Sequence, residues 1–425
     1  MTLGLFLVSL SGLMVLGLPI AFALILTGVI LMWHLDFFDA QLIAQNLING
    51  ADSFPLMAVP FFILAGEVMN AGGISKRIIN LAISCVGHRR GGLGYVAIIA
   101  AVILASLSGS AIADTAALAT LLLPMMRNNG YPVGRSAGLI AAGGIIAPII
   151  PPSMPFIIFG VTANQSISKL FMAGVVPGII MGLGLVLAWK WSMRTVDVEP
   201  QPRQDMKTRL KVAKDGFYAL LMPVIIIGGL RGGMFTPTEA AVVAAGYAMF
   251  VSLVVYREIK IKDLVPLFVQ AAYTTSIVMF LCAAAIVSSY MVTLADLPSE
   301  LIKFLAPIMD EPKLLMATIV VVMLMIGMVM DLTPTILILA PVTMPLVVQA
   351  GIDPIYFGVM FIMVGCVGLI TPPVGTVLSV VSSVASEPLE KITKGILPFL
   401  FVYMLVIVLF VLFPEIITVP ANFLY

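Results

Sequence analysis

Oxygen-bearing side chains are scarce in the apolar parts of this sequence, and where they occur they cluster. Ser106, Ser108 and Ser110 fall together in Ser106-Leu-Ser-Gly-Ser110, with Asp114 one helical turn further on. Gly327-Met-Val-Met-Asp-Leu-Thr-Pro334 holds a second carboxylate, Asp331. Two stretches rich in Gly and Pro carry hydroxyls at or near their ends: Gly143-Gly-Ile-Ile-Ala-Pro-Ile-Ile-Pro-Pro-Ser153, and Gly365-Cys-Val-Gly-Leu-Ile-Thr-Pro-Pro-Val-Gly-Thr376. Such segments interrupt helices. The freed carbonyls and nearby hydroxyls suit Na+, a hard cation that takes oxygen ligands, and half-helix N-termini offer N–H groups to an anion.

No catalytic constellation competes. A Gly-rich phosphate loop followed by Lys is missing, which argues against ATP drive within the chain. His34 and His88 have no Cys, His or carboxylate at ligand spacing, and Cys85, Cys282 and Cys366 lie far apart inside apolar runs. An intramembrane aspartyl pair of Asp114 and Asp331 is the enzyme-class alternative; their places on two separate hairpins argue against it.

The composition supplies the setting. Hydrophobic residues make up 61% and charged residues 10% of the 425, with mean hydropathy +1.15, against about 45–50% and about 25% in soluble domains. A soluble enzyme is excluded, and at about 20 residues per span there is room for roughly a dozen membrane segments in the lipid bilayer. The net charge of +1 excludes a nucleic-acid partner, which needs a basic face. The apolar N-terminus has no Lys or Arg before Lys76, so it reads as membrane structure and not as a removable signal.

One strongly polar interval, 190–215, divides the chain into halves. Shifting the second half back by 221 residues aligns Pro124 with Pro345, Gly130 with Gly351, Gly144 with Gly365, Pro151-Pro152 with Pro372-Pro373, Gly174 with Gly395 and Pro177 with Pro398. Chance predicts about 1.6 such Pro/Gly identities over this window. The chain therefore reads as an internal duplication: a first repeat over 1–190, a linker over 191–215 and a second repeat over 216–425.

Each repeat opens with two apolar segments (3–16 and 18–33; 216–230 and 237–256) and a longer one (40–71; 264–294). An amphipathic stretch follows (74–90; 297–312). Then comes a re-entrant hairpin (92–126; 313–349) and a helix broken at its middle (135–163; 354–384), before a last helix closes the repeat. The hairpin arms read as 92–105 and 111–126, and as 313–326 and 335–349, each too short to span. With the linker in the cytoplasm, 18 of the 22 Lys and Arg fall inside, leaving Lys169, Arg231, Lys303 and Lys313 outside. The halves then run antiparallel. The expected fold is an all-α polytopic membrane protein with inverted repeats, two re-entrant hairpins and two broken helices, which is the mark of secondary transporters.

Individual residues carry alternatives at this level. The three tip serines could bind substrate or ion, or bond back to carbonyls one turn away and cap the second arm. Asp114 could serve a ligand or favour a helix N-terminus. Asp331, the repeat partner of Ser110, is an expensive intramembrane carboxylate and reads as functional, with a cap role as the alternative. Ser153 and Thr376 could offer hydroxyls to a ligand. Thr236-Pro-Thr-Glu239 is a capping box, which makes Glu239 structural; Glu67 stays undecided.

The tip Ser106-Leu-Ser-Gly-Ser-Ala-Ile-Ala-Asp114-Thr, the break 143–153 and Val59-Pro-Phe-Phe-Ile-Leu-Ala-Gly-Glu67 resemble the large membrane subunit of tripartite ATP-independent periplasmic (TRAP) transporters, and within them most resemble the sialic-acid branch. The resemblance spans essentially the whole chain. It implies Na+-coupled import of an organic anion across the bacterial inner membrane by an elevator motion. It also implies two partners: a periplasmic substrate-binding protein, and a small four-helix membrane subunit expected as a separate chain. By the same resemblance the Na+ ligands would come from Ser106, Ser108, Gly144, Ala147 and Pro148 in one half, and from Gly327, Asp331, Gly365, Gly368 and Thr371 in the other. Substrate contacts would come from Ser108, Ser110, Ser153, Asp331 and Thr376. A stand-alone Na+-coupled dicarboxylate transporter is the nearest rival reading.

The charge partition makes a direct prediction. Single cysteines at Arg203 and Glu300 should react with an impermeant reagent from opposite sides of the membrane; labelling of both from one side would overturn the inverted arrangement.

Overall fold

Caps, prolines and glycines decide where each apolar run becomes a helix. The computed structural model describes residues 2–198, 200 and 202–424, apart from the side chains of Leu107 and Ser108, and among these residues it contains no strand. The first half comprises α1 (Thr2–Val15), α2 (Ile20–His34), α3 (Ala40–Ala51), α4 (Ala58–Ala71), α5 (Ile74–Val86), α6 (Gly92–Ser108), α7 (Ala111–Asn128), α8 (Val133–Gly144), α9 (Met154–Thr162) and α10 (Ile167–Ser192). The second half comprises α11 (Met206–Arg231), α12 (Pro237–Phe250), α13 (Ile261–Leu294), α14 (Leu297–Leu305), α15 (Pro312–Gly327), α16 (Leu332–Gln349), α17 (Pro354–Gly368), α18 (Thr376–Ala385), α19 (Leu389–Leu412) and α20 (Glu415–Leu424). Among the described residues, six helical stretches are long and apolar enough to cross a membrane. The protein is an all-α polytopic membrane protein.

Several boundaries differ from the sequence reading. The apolar segment 40–71 is two helices, because Asp52 ends α3 and Pro55, in a short 3-10 turn, has no N–H with which to continue it. The hairpin arms run longer than expected, to Ser108 and Asn128 in the first hairpin and from Leu332 in the second, so the tips shrink to Gly109-Ser110 and 328–331. The capping box is present: Glu239 accepts the Thr236 N–H at 2.8 Å, and the Thr236 hydroxyl accepts the Glu239 N–H at 3.3 Å.

Two groups of helices stand out, a first body and a second, and they meet where α5 packs on α6 and α13 on α16. In one, α2, α3 and α4 pack on α13, with α12 against α4 and α11 beside α5. In the other, the two hairpins and the two broken helices pack together with α10 and α19. Within this second body α8 crosses α19 at backbone contact. Gly134 and Gly138 are one turn apart on α8. A Cβ on Gly138 would lie 2.7 Å from the Ile396 nitrogen, and one on Gly395 would lie 2.1 Å from the Gly134 carbonyl oxygen. This is the small-xxx-small device by which membrane helices approach closely.

Near the linker Trp189 locks α10 to the start of the first hairpin. Its indole N–H donates to the Gly91 carbonyl at 2.9 Å, and its ring stacks between Tyr131 and Phe399. Glu387, in the α18–α19 turn, bridges Arg127 at 3.0 Å and Lys391 at 2.9 Å. These partners, Lys391 foremost, hold its carboxyl below the usual carboxylate range.

The crossing predicts a sharp difference between two glycines. Gly138→Val should cost about 1–3 kcal/mol through overpacking, seen as a lower melting temperature and poorer monodispersity in detergent. Gly228→Ala, where nothing lies within 4 Å of the added carbon, should leave both unchanged.

Candidate functional site

The hairpin tips and the helix breaks face one another. In the first half the chain leaves α8 at Gly144 and resumes as α9 at Met154. In the second it leaves α17 at Gly368 and resumes as α18 at Thr376. Both double prolines, Pro151-Pro152 and Pro372-Pro373, contain a cis peptide bond.

Each tip touches the break of its own half through backbone. Gly109 adopts φ +62, a left-handed conformation that favours glycine, and a Cβ there would stand 3.1 Å from the Pro152 carbonyl oxygen and 3.0 Å from the Met154 nitrogen. In the second half Gly327 lies against Gly365 and Gly368: a Cβ on Gly368 would meet the Gly327 Cα at 2.7 Å, and one on Gly327 would meet the Gly365 carbonyl oxygen at 3.2 Å. The Gly375 N–H donates to the Met328 carbonyl at 3.3 Å, which ties the second break to its tip.

Both junctions fit an oxygen-coordinated cation. At the first, Thr115 Oγ1 is fully buried, has no hydrogen-bond partner among the described residues, and lies only 1.7 Å from where a Cβ on Gly144 would be. A hydroxyl aimed at a break, beside carbonyls released from helical pairing, is the donor chemistry that a hard cation takes. At the second junction the Gly327 and Gly368 backbones meet directly beside the Gly365 carbonyl, and the Leu332 side chain packs against Gly365.

Between the junctions lies a cavity of about 70 Å3, whose lining includes Ser110, Pro148, Met154, Asp331, Thr333 and Leu369. It therefore joins both tips and both breaks. Asp331 takes the N-cap position of α16 without a side-chain capping bond; the Thr335 hydroxyl donates to its backbone carbonyl at 2.7 Å instead.

The other sequence candidates separate by environment. Ser110 caps α7, accepting the Ala113 N–H at 3.4 Å, and also lines the cavity. Ser106 is no tip residue: it sits inside α6 and its hydroxyl donates back to the Ile103 carbonyl at 2.6 Å, the behaviour of a helical serine. The side chain of Ser108 lies outside the described residues. Ser153 is fully buried, donates to the Pro148 carbonyl and accepts the Phe156 N–H at 3.4 Å, so it shapes the first break and does not line the cavity. Thr371 donates to the Val367 carbonyl at 2.7 Å within the second break. Thr376 opens α18 with a buried Oγ1 that has no partner among the described residues, away from the cavity lining. Ala147, buried in the first break, donates its N–H to Gly144 at 3.1 Å. Gly109, Thr115 and Thr333 were missed as site residues. Thr115 directly follows Asp114, but its orientation toward Gly144 depends on how α7 packs on α8.

Comparison with known proteins decides the family. A profile described as "Tripartite ATP-independent periplasmic transporter, DctM component" matches residues 7–416. The chain belongs to the DctM family of TRAP transporter permeases. The Escherichia coli 2,3-diketo-L-gulonate TRAP transporter large permease protein YiaN is 56% identical over 419 residues, covering 99% of each chain. The Vibrio cholerae sialic acid TRAP transporter large permease protein SiaM is 37% identical over 404 residues, covering 95% of each. In fold, this DctM-family chain is similar to the Alcanivorax borkumensis YdaH transporter, with TM-score 0.63, 13% identity and 87% and 86% of the two chains covered. Membership makes the protein a transporter permease, and the enzyme alternative falls with it.

The glycine contact at the second junction is testable. Gly368→Ala places a carbon 2.7 Å from the Gly327 Cα, an overpacking of about 1–3 kcal/mol, or roughly 5- to 150-fold in the population of the closed junction. Uptake should fall by that order while membrane insertion persists. Gly246→Ala, on the open face of α12, should transport normally.

Proposed function

We propose that the protein imports a polyhydroxylated sugar acid together with Na+, receiving it from a periplasmic binding protein while a separate small membrane subunit braces the first body. One observation carries this reading: two hairpin tips and two helix breaks converge on a single cavity that Asp331 lines. Carbonyl-lined junctions on either side offer two places for Na+, and the hydroxyl of Ser110 with the Asp331 carboxylate offers hydrogen bonds to substrate hydroxyls. The linker lies in the cytoplasm of a bacterial cell and the halves run antiparallel, in accord with the partition of basic residues.

The substrate choice follows chemistry shared by the relatives. Sialic acid and 2,3-diketogulonate are both monocarboxylates bearing several hydroxyls, and identity is higher with the diketogulonate permease. The diketogulonate type of sugar acid is therefore preferred over sialic acid. At about 70 Å3 the cavity is smaller than the roughly 300–1,000 Å3 of ligand pockets, so it must widen to take the substrate. Movement of the hairpin body against the first body, an elevator motion, would open it alternately to the two sides.

Uptake of labelled 2,3-diketogulonate and of labelled sialic acid into proteoliposomes tests the reading. Transport should require both a Na+ gradient and the cognate binding protein, and ATP should add nothing. Vigorous uptake by this chain alone would favour the stand-alone dicarboxylate transporter. Asp331→Asn should insert and assemble yet lose about 10- to 100-fold in uptake at low substrate, the equivalent of a charged hydrogen bond of about 1.5–3 kcal/mol. Wild-type uptake by a well-folded Asn variant would remove the carboxylate from the site.

A further inference from the structure

We infer that Tyr403 is a positioning residue for the first helix break, holding its backbone in the form that receives the cation; this rests on the Na+-coupled reading above. Tyr403 is fully buried on α19, and its hydroxyl donates to the Ala142 carbonyl at 2.6 Å. In a continuing α-helix that carbonyl would accept the Ile146 N–H. Here the Ile146 N–H turns back to Gly143 at 3.1 Å, and the Ala147 N–H likewise turns to Gly144 at 3.1 Å. The helix tightens into its break, and the carbonyl stranded by that change is the one Tyr403 satisfies.

The second break handles its carbonyls from within. The Thr371 N–H turns to Gly368 at 2.9 Å, and the Val367 carbonyl accepts both the Ile370 N–H at 3.2 Å and the Thr371 hydroxyl at 2.7 Å. In the first break the Ser153 hydroxyl serves the Pro148 carbonyl, and the Ala142 carbonyl takes its hydroxyl from another helix. The α8–α19 crossing makes this possible: Gly138 against Gly395 brings the helices to backbone contact, and Tyr403 lies two turns beyond Gly395 on the same helix.

Without the hydroxyl, the Ala142 carbonyl regains a partner only if Ile146 returns to it. That return extends α8 past Gly144 and shifts the Ala147 N–H from Gly144 to Gly143, which changes the pairing of the Gly144 carbonyl beside the Thr115 hydroxyl, because Pro148 has no N–H to replace it. Tyr403 therefore acts on the first cation site through Gly144 and leaves the substrate-facing Asp331 untouched.

Tyr403→Phe keeps the ring and deletes the bond. Tyr356→Phe is the matched control, since Tyr356 is also buried and its hydroxyl donates to the Phe410 carbonyl of α19 at 3.0 Å, away from both breaks. Both variants are reconstituted with the small subunit, and uptake is measured against Na+ concentration with the binding protein present. Purified complexes are also melted in NaCl and in choline chloride. Tyr403→Phe should raise the half-saturating Na+ concentration by roughly fivefold or more and shrink the stabilisation given by Na+ over choline. Tyr356→Phe should lower the melting temperature equally in both salts and leave half-saturation unchanged. Equal half-saturation in wild type and Tyr403→Phe, or the same shift in both variants, would overturn the positioning role while leaving Na+ coupling intact. Wild-type uptake and melting that ignore Na+ would instead overturn the coupling, and this inference with it.

Discussion

A backbone that leaves its helix at the middle of a bilayer must find every lost hydrogen bond inside the protein, because lipid supplies none. That requirement governs the centre of this permease. Two chains of exposed carbonyls are useful for binding ions only if the groups not used for binding are satisfied elsewhere. Ser153 holds the Pro148 carbonyl, Thr371 holds Val367, Tyr403 holds Ala142 and the Gly375 N–H holds Met328. What remains open to a ligand is the remainder after these assignments.

The same constraint explains the distribution of glycine. Backbone groups can satisfy or approach each other across helices only where no Cβ intervenes, and the tips, the breaks and the α8–α19 crossing are among the places where added carbons would collide with backbone, as is Gly50 against Ala283 of α13. Side-chain packing does the work elsewhere, as in the cluster of Phe159, Phe357 and Phe361 between the two broken helices.

Much of this was legible from residue types. Membrane character, the broken helices and the pairing of Pro151-Pro152 with Pro372-Pro373 follow from composition and repeat spacing. Asp331 stood out because a carboxylate in such surroundings is costly. Other features were out of reach for identifiable reasons. A serine in a Gly/Ser-rich string reads as loop, yet helical pairing persists through Ser106 and turns its hydroxyl inward to Ile103. Ser153 and Thr376 carry the right atoms, but their side-chain direction is set by capping and packing on helices distant in sequence. Thr115 and Tyr403 sit in ordinary helical surroundings with no local signal. Their roles exist only once α7 and α19 are laid against α8.

Two of the seams between the halves of the hairpin body are built from different materials. Where α8 meets α19 the contact is backbone on backbone, through Gly134, Gly138 and Gly395; where α17 meets α9 and α10, a Cβ on Gly358 would meet the ring of Phe159 at 2.6 Å and the side chain of Leu170 at 2.7 Å. Positions that correspond by spacing therefore meet different neighbours in the two halves. At the positions that the 221-residue shift pairs with Gly134 and Gly138 the second half carries Ile355 and Val359, so the second seam has no equivalent of this backbone crossing. The matched Pro and Gly spacing describes a shared plan, and the parts built on it are not interchangeable.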